Sequence, residues 1–116
     1  MARHIHRTVD LTILNGAQLS NVISGNDGKI AFGGSYAISF FGPAALTGTV
    51  TVQVAPVNTP SAGDWVNLSA GGSDVTVAAL KCIIVANPSF LALRLSSASV
   101  ELADRVFRLL VMVEAV

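Results

Sequence analysis

Two histidines one residue apart, His4 and His6, head a short inventory of residues able to do chemistry. In an extended segment both rings fall on one side, and two imidazoles are half of a zinc-type ligand set. Only Asp10 lies close enough in sequence to add a ligand. The pair therefore reads as part of a solvated or partner-contacting arm, and no metal or other cofactor is expected. Gly28-Lys29 sits in a glycine-rich stretch from Gly25 to Gly34. It is no phosphate-binding P-loop, because Ile30 replaces the required Ser/Thr and no glycine stands five residues before Gly28. Gly33-Gly34-Ser35 lacks the Gly-x-Ser-x-Gly spacing of a nucleophile elbow. With histidine only at positions 4 and 6, a catalytic triad would have to recruit the N-terminal arm. Asp64, Asp74 and Asp104 are isolated acids, read as turn caps and surface partners, with Asp104-Arg105 able to lock a turn by a charge-assisted bond. No enzyme is expected.

Two single residues complete the inventory. Cys82 is the one cysteine, which excludes an intrachain disulfide. In the run Cys-Ile-Ile-Val it reads as a small buried hydrophobe. Trp65 has three open readings: sandwich core, anchor of a subunit interface, or platform for a sugar ring.

The elements that must position these residues follow from composition and periodicity. Asp, Glu, Lys and Arg make up 12% of the 116 residues, 52% are apolar, and the formal net charge is zero. Soluble domains carry roughly 25% charged residues, and a chain of this size buries only about 60–70% of the surface it exposes when unfolded. The apolar surplus should meet other protein subunits. The seven cations are scattered, so there is no basic stripe for nucleic acid. No secretory leader is visible at the start, and the most apolar stretch, Val75 to Ala86, is too short to span a bilayer and holds Lys81. A soluble protein made in the cytoplasm is expected.

Period two dominates. Val9, Leu11 and Ile13 alternate with polar residues, and Asn15-Gly16 ends that strand. Leu19, Val22 and Ile23 form a weaker one, followed by a polar loop over 24–29. Tyr36, Ile38 and Phe40 share one side of a third strand. Val50, Val52 and Val54 define the cleanest strand, closed by Pro56 and Pro60, with a loop over 57–63. A short strand is expected over 64–69, with Val66 and Leu68 on one face and Trp65 and Asn67 on the other. The run 75–86 is apolar on both faces, hence either a central strand or one covered by a neighbouring subunit. Leu91, Leu93 and Leu95 mark another strand. Ser97–Arg105 reads as a loop or single helical turn. Phe107, Leu109, Val111 and Val113 share a face of the last strand. Seven or eight strands with regular turns and no long helix predict an all-β chain, an antiparallel β-sandwich of jelly-roll type. A single domain over 8–116 follows an N-terminal arm over 1–7.

Four stretches together carry a resemblance: Phe41-Gly-Pro-Ala-Ala-Leu-Thr-Gly-Thr-Val-Thr-Val-Gln-Val, Asp64-Trp-Val-Asn-Leu, Asn87-Pro-Ser-Phe-Leu-Ala-Leu-Arg-Leu and Ala103-Asp-Arg-Val-Phe. Their order over residues 36–113 resembles small β-sandwich structural proteins of tailed bacteriophages. The resemblance implies a virion component, and within that class a capsid decoration (cement) protein is favoured. Such a protein sits on the capsid surface as a homo-dimer or homo-trimer and bridges major capsid protein subunits, with no nucleic-acid or membrane partner. On that reading Arg3, His4, Ile5, His6 and Arg7 reach a neighbour and order only on contact. Trp65, Ile83, Val85, Leu109 and Val111 are the further candidates for partner contact. A neck, tail or baseplate component is the alternative within the virion. A carbohydrate-binding module using Trp65 and Tyr36 is the alternative of another class.

Overall fold

The computed structural model describes the backbone of residues 3–24, 35–86 and 88–115, and side chains over 6–24, 37–86 and 88–112. Two antiparallel sheets face each other across one core, the all-β sandwich that the alternating sequence predicts. The strands are β1 (Arg3–Ile13), β2 (Ile23–Ser24), β3 (Ser35–Phe41), β4 (Val50–Ala55), β5 (Val66–Asn67), β6 (Ser69–Ala70), β7 (Ser73–Asp74), β8 (Thr76–Val77), β9 (Cys82–Ala86), β10 (Ala92–Ser97) and β11 (Arg105–Ala115). The first sheet runs β1-β11-β3-β9. The second runs β2-β10-β4-β5, with β8 also paired to β4, and β6 and β7 form a small hairpin.

The core is what period two requires. Leu11 and Ile13 of β1, Phe107, Leu109 and Val111 of β11, and Ile38 and Phe40 of β3 point inward from the first sheet. Val50, Val52 and Val54 of β4 and Leu93 and Leu95 of β10 meet them from the second. β-Branched and aromatic side chains on alternate positions suit such pleated, half-buried surfaces.

Several expectations need correction. Residues 3–7 are no free arm: they are the first half of β1, paired in register from Arg3↔Ala115 to Arg7↔Val111. Leu109 and Val111 are fully buried inside the monomer, so the β11 face assigned to a partner is the core face. The run 75–86 is not one strand. Thr76–Val77 pairs with β4 in the second sheet, whereas Cys82–Ala86 pairs with β3 in the first. The chain crosses between sheets through a turn in which Leu80 takes φ 58°, the Leu80 N–H donates to Pro43 O and the Lys81 N–H to Ala78 O. Gly42 leaves room for this turn, since a Cβ there would collide with the Ala78 carbonyl. The short strand expected over 64–69 shrinks to Val66–Asn67, because Ala62–Asp64 forms a 3-10 turn whose Asp64 side chain accepts from the Ser61 N–H at 2.7 Å.

Candidate interaction surface

The outward side chains of the first sheet fall into rows. Asp10, Arg108, Phe41 and Cys82 stand side by side across the four strands, as do Thr8, Leu110, Ser39 and Ile84, and then His6, Met112, Ala37 and Ala86. Strand β1 contributes the polar column. Arg108 turns toward it and donates to Asp10 at 3.1 Å. The three other columns are apolar or small apart from Arg108. Phe41 is 42% exposed, Ile84 65% and Val106 47%. Single apolar residues scattered on a surface are ordinary, whereas grouped ones of this kind are the type of surface at which proteins make contacts or bind ligands.

The patch ends at β9, the outer strand of the sheet. Cys82, Ile84 and Ala86 are exposed, while Ile83 and Val85 are half-buried against the core. Cys82 is thus exposed rather than buried as its apolar context implied. Between β9 and the second sheet lies a groove of about 490 Å³ whose walls include Val54, Leu68, Val75, Phe90, Ile83 and Val85. The predicted contact residues Ile83 and Val85 therefore lie at the surface feature, Leu109 and Val111 do not, and the side chains of Arg3, His4 and Ile5 fall outside the described residues. His6 is exposed at the far end of the β1 column.

The outward face of the second sheet is different in kind. Arg94, Gln53 and Asn67 are neighbours in register. Arg94 Nε donates to Gln53 Oε1 at 2.8 Å, Gln53 Nε2 to Asn67 Oδ1 at 3.1 Å, and Asn67 Nδ2 to Asp74 Oδ2 at 3.1 Å. The Arg94 guanidinium lies 4.4 Å from the centre of the Trp65 ring, a cation–π contact. Trp65 is half-buried on this outer face, which removes the core reading. One face of its indole is already covered by Arg94, so stacking a sugar there would require displacing the cation. The side chain of Tyr36, its expected companion, lies outside the described residues.

The residue that sequence reasoning missed is Glu101. Its side chain is fully buried in the loop between β10 and β11. It accepts from the Thr47 N–H at 2.9 Å, the Gly48 N–H at 3.0 Å, the Ser97 hydroxyl at 2.7 Å and Arg105 Nε at 2.9 Å. Its backbone also accepts from the Gly16 N–H and donates to Ala17 O. Burial alone would raise the carboxyl's pKa, but the bonds from Thr47, Ser97, Gly48 and Arg105 outweigh it and hold it at about 2. Arg105 therefore pairs with Glu101 and not with Asp104, whose carboxylate instead accepts from the Asn15 N–H at 2.8 Å. Glu101 fastens three loops at one end of the sandwich and offers no opening for substrate.

Among the described residues, no group of three or more His, Cys, Asp or Glu side chains is placed to hold a metal ion. No protein-family model matches the chain, and no curated protein does. Among solved structures, it is similar to a chain from the work titled "Bacillus endospore appendages form a novel family of disulfide-linked pili". The TM-score is 0.52 at 14% identity, covering 100% of this chain and 90% of that one. At that identity the likeness establishes the sandwich fold alone.

Proposed function

We propose that this chain is a non-catalytic structural subunit of a virion, a decoration protein that binds the assembled capsid and reinforces it. The observation that carries the subunit reading is the outward face of the first sheet, where Phe41, Ile84, Val106, Leu110 and Met112 form an apolar field with Arg108 as its one charge among the described residues. The virion part is supported by the resemblance across residues 36–113. Binding that favours the assembled shell stabilises it by mass action, about 2.7 kcal/mol per site at a hundredfold excess over Kd. One oligomer engaging several capsid subunits multiplies weak contacts into strong ones.

The test is co-sedimentation with empty, expanded shells built from the major capsid protein of the same genome. Saturable binding and a raised shell melting temperature are expected, and Phe41→Glu should abolish both while leaving the isolated fold intact. Shells that neither retain the protein nor melt later rule the reading out. A second reading, a filament subunit, is favoured by the fold likeness to the endospore-appendage chain. It predicts regular fibres by electron microscopy when the protein alone is concentrated.

A further inference from the structure

We propose that β9 is a docking edge for a second copy of this chain, joining two four-stranded sheets into one eight-stranded sheet about a two-fold axis at Ile84. Every other sheet edge among the described residues is short or guarded. β2 and β5 are two residues each. The outer edge of β1 carries His6, Arg7 and Asp10, and near its end Thr12 N–H is taken by Asn21 Oδ1 at 2.8 Å and Ile13 is bridged to Ser20. Natural sheets protect their edges with such charges and covers. β9, Cys-Ile-Ile-Val-Ala, has neither charge nor proline.

The hydrogen-bond parity of β9 specifies the pairing. The Gly42 N–H donates to Lys81 O at 2.9 Å, which makes Gly42 and Lys81 a hydrogen-bonded pair of the β3–β9 ladder. Bonded and non-bonded pairs alternate in an antiparallel ladder. Ile83 and Val85 therefore spend their backbone groups on Phe40 and Ile38, while Cys82, Ile84 and Ala86 turn theirs to the open edge. No backbone hydrogen bond among the described residues uses those groups of Cys82, Ile84 or Ala86. Antiparallel pairing of two β9 strands centred on Ile84 sets Ile84 against itself and Cys82 against Ala86 of the other copy. All three open residues of each copy then enter bonded pairs, whereas a register shifted by two leaves one of them unpaired.

A second copy suits this edge better than any charged strand. Lys81, the nearest charge, recurs only six residues along the paired strands, roughly 20 Å away at about 3.4 Å per residue and beyond a Debye length of ~8 Å. The inward-facing Ile83 of one copy stands beside Val85 of the other, so the two apolar grooves close against each other. The outward field continues across the axis through Ile84.

This inference rests on the reading of the chain as an assembly subunit, and one experiment separates the two. Cys82→Ser/Ile84→Cys is oxidised mildly beside wild type. Facing residues of a bonded pair have Cα atoms about 5.5 Å apart, within disulfide range, so the variant should run as a covalent dimer. Wild type should not, because Cys82 of the two copies would stand four residues apart. Amide exchange supplies a readout free of mutation: Ile84 N–H should become protected as concentration rises and light scattering shows the mass doubling. An oligomeric wild type whose Ile84→Cys variant stays uncrosslinked and whose Ile84 amide stays unprotected overturns the edge and spares the assembly reading. A monomer at every concentration that still binds shells does the same. A monomer that binds no shells overturns both.

Discussion

Glu101→Gln tests the idea that a single buried carboxylate holds one end of this sandwich together. The two oxygens of Glu101 accept from two backbone amides, a hydroxyl and a guanidinium. An amide in its place turns an NH2 group toward either Thr47 and Arg105 or Gly48 and Ser97. In both cases a buried backbone N–H faces another donor. The fall of the carboxyl pKa from 4.5 to about 2 corresponds to about 3 kcal/mol favouring the ionised form in the fold, at ~1.4 kcal/mol per pH unit. Breaking a buried ion pair by removing one partner costs about 3–5 kcal/mol, which agrees. At neutral pH the variant should lose about 3 kcal/mol, or 1–3 M in urea midpoint at an m-value of ~1–3 kcal/mol/M.

The pH dependence fixes the cause. A depressed folded-state pKa gives stability that is complete above the unfolded value of 4.5 and vanishes as pH falls through about 2. Wild type should thus lose about 2 kcal/mol between roughly pH 6 and pH 3 through this group, and Glu101→Gln should lose none of it. The assay is urea unfolding followed by Trp65 fluorescence at both pH values, with circular dichroism as a second probe. A variant within about 0.5 kcal/mol of wild type, or a gap equally wide at both pH values, refutes the reasoning.

Other substitutions test the surrounding geometry. Gly48→Ala should destabilise by about 1–3 kcal/mol in thermal melts, because its Cβ would come within 2.6 Å of Ser99 N and 2.7 Å of Ser97 Oγ. Arg94→Ala should cost about 1 kcal/mol by removing the cation over Trp65, and should alter Trp65 emission; unchanged emission would mean the contact is absent in solution. Asp10→Asn should change urea stability by less than about 1 kcal/mol, since its exposed pair with Arg108 is screened by water. Leu80→Asn should be neutral or stabilising by up to about 1 kcal/mol, because Leu80 is 78% exposed at φ 58° and asparagine tolerates that left-handed conformation better.

How much of this was legible in the sequence depended on the range of the interactions. Strand interiors were local. Val50, Val52 and Val54 and the set Phe107, Leu109 and Val111 announce their common faces by alternation, because a buried face needs apolar residues at every second position. Which apolar face turns inward is another matter. In β11 both faces are apolar, so alternation alone does not tell that Phe107, Leu109 and Val111 turn inward while Val106, Leu110 and Met112 turn outward. The break in 75–86 was hidden for a related reason. Its two halves face the core from opposite sheets, so both are apolar, and only the tertiary contact between Gly42 and the Ala78 turn separates them. Glu101 stayed hidden because its amide partners Thr47 and Gly48 lie 54 and 53 residues away; its local partners are Ser97, four residues before it, and Arg105, four residues after it.

The same distinction bears on what the apolar surplus is for. A run apolar on both faces allowed two explanations, a central strand or an edge covered by another molecule. Its second half is an edge: among the described residues β9 has β3 on one side only, and Ile84 stands 65% exposed at its centre. An edge strand that is neutral, apolar and five residues long invites aggregation if nothing covers it. Neighbouring features argue against aggregation as its fate. β1 at the opposite side is charged, and the open backbone groups of β9 form a set that its own two-fold copy satisfies. A surface that ends in one self-complementary edge closes after a single pairing, because the axis that joins two copies consumes both edges. The outward apolar field then spans two copies and remains free for a larger structure. On the proposed pairing, sheet edge and sheet face divide the work, the first setting the stoichiometry of the oligomer and the second its attachment.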